Sequence, residues 1–502
     1  MDASLVRKEL MQRKTIYDGS CEIGVETALV LPDYMGDIEK ILRCSLSARA
    51  SSKRIEGQRL SVGGTAFMRM LYITSDGKVE SFETQIPFSK NLDLNATGEN
   101  PAATVRFETE YSNCLAVSPR RVELRGALLM RARVQVSAAL SIAVDIDSDG
   151  VECKKKSFEA DLPLCSVCEN FTVMEEYELS APISSVVRMS ANPKILEHKI
   201  VSGRLIIKGE IDLTIVYISD EADGVKTASF TLPVNHFMSV SGAEEGDRAD
   251  LRLEICRLSA EPIGREGKEI AVEVFLEAAA EVLRRETVEA VVDCYCIGHE
   301  SACEKGEISV ATLNKNESKT HQVCVNLGEE ISGEVIDAFA EIKNVLASVN
   351  EHGEVMMRGE LNAGLLVYGA DGEVNTLEKS QPLEISLAAD SAYIGATCDG
   401  DMAVLSVSRV PNKSEVCVML SLDARILKSE SFPTVSGMSI SSEQSIRDPK
   451  TAMTIYFAKE GEDVFDIAKR YNTSYRAVME QNELDEERLS QNKKILIPMV
   501  KQ

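Results

Sequence analysis

No stretch of this chain approaches the eighteen or more consecutive apolar residues that a membrane-spanning helix needs, which argues against insertion into a bilayer. Met1-Asp2-Ala3-Ser4 leads into Arg7, Lys8, Glu9 and Gln12 without the apolar core of a secretory signal, so the protein is expected to remain in the cytosol. Histidine is scarce: His198, His236, His299, His321 and His352 are scattered over 502 positions. There is no HExxH zinc motif, no GxSxG nucleophile elbow, no GxxxxGK[ST] phosphate loop and no GxGxxG after a strand. Pairs such as Glu175-Glu176 and Glu244-Glu245 read as solvated loops, because a glycosidase dyad needs two carboxylates placed across a cleft. The expectation is a protein that is not an enzyme and takes no cofactor.

A secreted disulfide framework is also missing, since thirteen cysteines, an odd number, are spread from Cys21 to Cys417 of a long chain. They fit a reducing compartment. Cys165-Ser166-Val167-Cys168 has the spacing of a zinc half-site, but no second such pair follows at finger distance. Cys294, Cys296, His299 and Cys303 are denser and could supply four ligands in a metal-dependent module. Their irregular spacing favours the plainer reading of free cysteine as a small packed hydrophobe, so no metal is expected. Basic residues are in deficit as well: 80 acidic against 55 basic residues leave a formal charge of −25, which repels nucleic-acid phosphates and anionic lipid headgroups. With 44% hydrophobic residues and no low-complexity tract, the length implies three or four domains with ordinary cores.

What the chain does contain is repetition. The stretch 59–73 carries Gly64 eight residues before Tyr72, and 204–218 carries Gly209 eight residues before Tyr217. A third copy from Glu354 places Gly359 nine residues before Tyr368, one extra residue near Ala363-Gly364 that a β-bulge could absorb. Each copy runs into a turn (75–77, 220–224 or 370–372) and a second strand ending at Pro87, Pro233 or Pro382, which is a hairpin pattern. Alternating segments follow each hairpin, at 121–137, 270–283 and 415–426, as expected of sheets with one buried face. The units start roughly 145 residues apart, a domain-sized period. The tyrosine series reads as sheet packing.

The last fifty or so residues change character. Thr454 to Ala458 alternates like a strand, and Gly461-Glu462-Asp463 turns into a segment whose Val464, Ile467, Ala468 and Tyr471 share one helical face. Asn472 suits a left-handed helix stop, Thr473 or Ser474 can cap a second helix bearing Tyr475, Val478 and Met479, and Ile495-Leu496-Ile497-Pro498 closes a sheet. These residues resemble a LysM domain. The resemblance implies a non-catalytic binding groove involving Gly461, Glu462, Asp463, Val464 and Phe465 with Lys493 and Lys494 opposite, made for peptidoglycan or chitin in most members. Glu462-Asp463 replaces the Asp-Thr of many wall-binding members and makes the mouth more acidic.

Leu31-Pro32-Asp33-Tyr34-Met35-Gly36-Asp37-Ile38, the repeated hairpins and the terminal module together resemble SPOCS-containing spore-coat morphogenetic proteins of the SipL type. That resemblance implies a mother-cell protein at the forespore surface, its LysM domain on the ATP-hydrolysing coat-base protein and its repeats on other coat proteins. The alternative is a wall-associated protein that holds peptidoglycan. The expected fold is mainly β: three consecutive sandwich- or barrel-like domains at 1–160, 161–305 and 306–426, a Ser-rich linker at 427–451 and an α+β (βααβ) LysM domain at 452–502. As a flexible coil of about two dozen residues the linker would separate its ends by roughly 25–30 Å and let the module search independently.

Overall fold

The computed structural model describes residues 3–498 except 184, 220–224, 264–266, 329–332, 370–373, 411–412 and 445–452. The expected turns at 220–224 and 370–372 and the end of the Ser-rich stretch therefore lie outside the described residues. The protein is mainly β, and its strands follow one plan three times. The first unit comprises β1 (Ser4–Val30), β2 (Ile38–Glu56), β3 (Arg59–Thr74), β4 (Val79–Asp93), β5 (Glu99–Ser118) and β6 (Arg121–Asp147). The second comprises β7 (Val151–Glu178), β8 (Ser185–Val201), β9 (Arg204–Ile218), β10 (Val225–Ser239), β11 (Arg248–Ile263) and β12 (Glu269–Cys296). The third comprises β13 (His299–Asn326), β14 (Gly333–Val349), β15 (Glu354–Gly369), β16 (Val374–Ala389), β17 (Thr397–Arg409) and β18 (Glu415–Gln444).

Each unit stacks an antiparallel meander (β2-β3-β4, β8-β9-β10, β14-β15-β16) on a second three-stranded sheet whose last strand is central (β1-β6-β5, β11-β12-β7, β13-β18-β17). Leu60, Val62, Ala66, Met68, Met70 and Tyr72 alternate inward from β3 and meet Leu124, Leu128, Met130 and Val134 from β6 in one core. The two sheets of the first unit adjoin along β2 and β5, where Thr109 Oγ1 donates to the Leu46 carbonyl at 2.6 Å and Ser112 Oγ to that of Cys44 at 3.3 Å. An added Cβ would strike the Arg49 carbonyl at Gly64 and the Lys194 carbonyl at Gly209, so the repeated glycine permits close approach of strands.

Several expectations need correction. The prolines do not end their strands: Pro87, Pro233 and Pro382 lie within β4, β10 and β16, opposite Thr65, Glu210 and Glu360. All three are edge strands, where a missing N–H breaks no ladder bond. That shared register also shows that no bulge sits at Ala363-Gly364, which pair regularly with Lys379 and Glu378. Val367 therefore takes the core place of Tyr72 and Tyr217, and Tyr368 is 40% exposed. The divisions between units fall at 148–150 and 297–298, where the chain turns into β7 and β13, and the third unit runs to Gln444. Residues 427–444, expected as linker, continue β18 and pair with β13, with Phe432, Val435 and Met438 buried. Cys44–Cys114 and Cys324–Cys417 are disulfide-bonded, against the expectation of thiols throughout, and the other nine cysteines are free.

The units do not run in a line. Each touches both others: Leu10, Phe158 and Ile308 from β1, β7 and β13 meet in one apolar cluster, and Leu71, Val216 and Leu366 from β3, β9 and β15 in another. A cavity of about 1350 Å³ is lined by residues of all three units. Cross-unit ion pairs surround it, among them Lys53 with Glu277 at 2.6 Å, Arg13 with Glu281 at 2.6 Å, and Arg425 with Glu281 at 2.9 Å and Asp250 at 3.3 Å.

Candidate functional site

The C-terminal module folds as expected, from β19 (Met453–Ala458), α1 (Val464–Arg470), α2 (Tyr475–Gln481) and β20 (Lys493–Pro498), with β19 and β20 antiparallel. Gly461 turns with φ 82°, and Asp463 caps α1 by accepting from Phe465 N at 2.9 Å. Asn472 takes φ 49° after α1, and Ser474 caps α2. Val464, Ile467, Ala468, Val478, Ile495 and Ile497 form the interior. Asn482 fastens α2 to β20: its Oδ1 accepts from Leu496 N and its Nδ2 donates to Leu496 O, each at 2.6 Å.

The two loops expected to form a groove are laced by their backbones, with Gly461 N to Leu489 O at 2.8 Å, Leu489 N to Glu462 O at 3.0 Å and Val464 N to Glu487 O at 2.8 Å. Gly461, Lys493 and Lys494 are exposed, and Glu462 is half-buried, accepting from Tyr456 OH at 3.0 Å and Lys459 N at 3.0 Å. Asp463, Val464 and Phe465 are not on offer to solvent. Val464 is in the module's core, and Phe465 is 3% exposed.

Phe465 is covered by the β body rather than by its own module alone. Tyr295 at the end of β12 meets it edge-on, with ring centroids 5.2 Å apart, and Lys154 of β7 lies 5.7 Å from its centroid. Lys154 Nζ also pairs with Asp463 at 2.5 Å, Lys469 with Asp293 at 2.6 Å, and Ser474 Oγ donates to Glu152 at 2.8 Å. Tyr295 OH donates to the Thr473 carbonyl at 2.7 Å, and Gly298 N to Asn472 Oδ1 at 2.9 Å. Tyr295 and Ile297 belong to the module's apolar cluster. The picture of a module searching freely on a coil is thereby corrected: strand continues to Gln444, and the module rests on the junction of the second and third units. Nothing in the sequence of residues 151–154 or 293–299 announced a docking partner 170 to 320 positions away.

The cysteine cluster lies beneath this contact. Cys294 and Cys303 share a hydrogen bond that holds the Cys294 thiol above and the Cys303 thiol below the ordinary range. The four residues considered for zinc do not converge: Cys296 Sγ faces the Ile297 carbonyl at 3.8 Å, and His299 Nδ1 lies 3.2 Å from the Ser441 carbonyl. Cys165 and Cys168 lie along β7. Cys324, Glu415 and Cys417 do cluster, but their two sulfurs are bonded to each other.

A model of the SipL SPOCS domain matches residues 37–116 and 182–263, and a LysM model matches residues 456–498. Neither the curated proteins nor the solved structures yielded a match. The SPOCS segments occupy equivalent places, from β2 into β5 and from β8 through β11, and the third unit repeats their strand plan. Both matched domain types are non-catalytic modules of binding and scaffolding, and no helix among the described residues is long and apolar enough to cross a membrane. With repeated SPOCS domains ahead of a terminal LysM domain, the chain has the architecture of the SipL-type sporulation proteins.

Proposed function

We propose that this chain is a non-enzymatic scaffold of spore-coat assembly in the mother-cell cytosol. Its LysM domain docks on the coat-base ATPase at the forespore surface, and its β units recruit other coat proteins. The observation that carries this reading is the domain order, SPOCS then LysM. The free thiols, at nine of thirteen cysteines, accord with a cytosolic setting. The strong negative charge keeps nucleic acid and anionic membrane from competing as partners.

A second reading, retention on peptidoglycan, draws on the LysM match and on the exposure of Gly461, Lys493 and Lys494 around the groove mouth. Pull-downs separate the two. The full chain is expected to be retained on immobilised coat-base ATPase and to wash off purified sacculi. Retention on sacculi like that of an established wall-binding LysM domain, with none on the ATPase, would transfer the assignment.

A further inference from the structure

Two residues of the groove mouth, the acidic Asp463 and the aromatic Phe465, lie under the β body. Asp463, only 10% exposed at its side chain, is neutralised by Lys154, and Phe465 is closed off by Tyr295, whereas Gly461, Lys493 and Lys494 stay open. Phe465 precedes the packing face of Ile467 and Ala468, and within its own module its ring neighbour is Tyr475, 5.9 Å away and tilted. The body thus supplies one side of the cover over Phe465 and the charge partner of the neighbouring Asp463.

We infer that Lys154 and Tyr295 act as an internal stand-in for the LysM partner: a protein that sets a basic side chain on Asp463 and an aromatic or aliphatic one on Phe465 must displace the β body to bind. This rests on the reading of the module as a grip for a protein. The contact suits such exchange. It joins side chains of a small module through ion pairs and single hydrogen bonds around one aromatic pair, the polar character of a reversible interface between domains. Tyr295 and Lys154 sit outside the apolar cores of the β units, so changing them loosens the dock without opening a unit's interior. A module docked for about nine-tenths of the time binds its partner about tenfold more weakly than a free one, and that factor is what release restores.

The test uses the full chain with Lys154→Glu, Tyr295→Ala and Asp463→Asn, the last chosen because asparagine keeps the α1 cap while dropping the charge. Hydrogen exchange reads the dock without any partner. All three variants are expected to exchange up to about tenfold faster at Gly298, whose N–H donates to Asn472 Oδ1 across the dock, with the β19–β20 ladder as protected as in the wild type. Binding to purified coat-base ATPase is expected to tighten about tenfold for Lys154→Glu and Tyr295→Ala and not for Asp463→Asn, which has lost the partner's own contact. Unchanged exchange overturns the inference, as does faster exchange with no gain in binding over a wild type that binds. If no form binds the ATPase while exchange rises as expected, the choice of partner fails and the covered face stands.

Discussion

Tyr72 and Tyr217 show what a single residue contributes to a repeated position. Each ring is fully buried, and each hydroxyl finds a partner, Glu80 at 2.7 Å or Ser180 at 3.2 Å. Burial, with Glu80 beside it, raises the Tyr72 pKa. The repeat was legible from these residues, but the third member was mistaken, because Tyr368 lies one place beyond the core position that Val367 fills. Spacing alone could not choose between a bulge and a substitution; the Glu360–Pro382 register decides it. At the same scale, Cys303 is the thiol held below the ordinary range by its hydrogen bond with Cys294, and burial pushes Cys153 and Cys398 up to about 11. Because the thiolate is the nucleophile, brief iodoacetamide treatment at pH 7.5 should label Cys303 ahead of Cys153 and Cys398, with its rate rising towards neutrality as the proton leaves. Peptide mapping that finds Cys153 or Cys398 first would contradict the assignment.

At the scale of the element, β18 departs furthest from expectation. Ser429, Ser431, Ser436, Ser439 and Ser441 gave residues 427–444 the composition of a linker, yet Phe432, Val435 and Met438 are buried between them. Serine on the outward face of a strand is compatible with pairing, but Phe432, Val435 and Met438 stand three apart across a register shift opposite Glu304 and Lys305, so the two-residue period that marks a strand was missing from the sequence. Val435→Asp is expected to destabilise the β body by about 3 kcal/mol or more, because a carboxylate would enter a dry apolar cluster. A linker would tolerate it, so an unchanged thermal midpoint would contradict the strand. The LysM helices, by contrast, were legible nearly residue by residue: Gly461, Asp463, Asn472 and Ser474 hold the turn, cap and stop positions their chemistry suits.

Across the whole molecule, the sequence showed three units but not their closure, since contacts such as Leu10 with Phe158 and Ile308 join residues about 150 and 300 positions apart. The charged seam between units is similarly invisible in a chain where acids and bases are everywhere. Arg425 is 11% exposed and is shared by Asp250 and Glu281 of the second unit. Its change to alanine should cost about 3 kcal/mol, the lower end for breaking a buried pair because Arg13 still faces Glu281, and should lower the midpoint of the whole body in denaturant. Loss confined to the third unit would mean the units are not coupled through this seam. The docked module is likewise a property of the whole, since two of its seven expected binding residues, Asp463 and Phe465, are covered by strands of the second unit.

The central claim is that the chain is brought to the forespore by its LysM domain and does its work there by holding other proteins. Fluorescence imaging of the tagged full chain, beside a form ending at residue 444, in sporulating mother cells tests it most directly. The account predicts that the full chain encircles the forespore and the truncated form stays diffuse in the mother cell; a full-length signal that never gathers at the forespore, or a truncated form that encircles it as well, would contradict it.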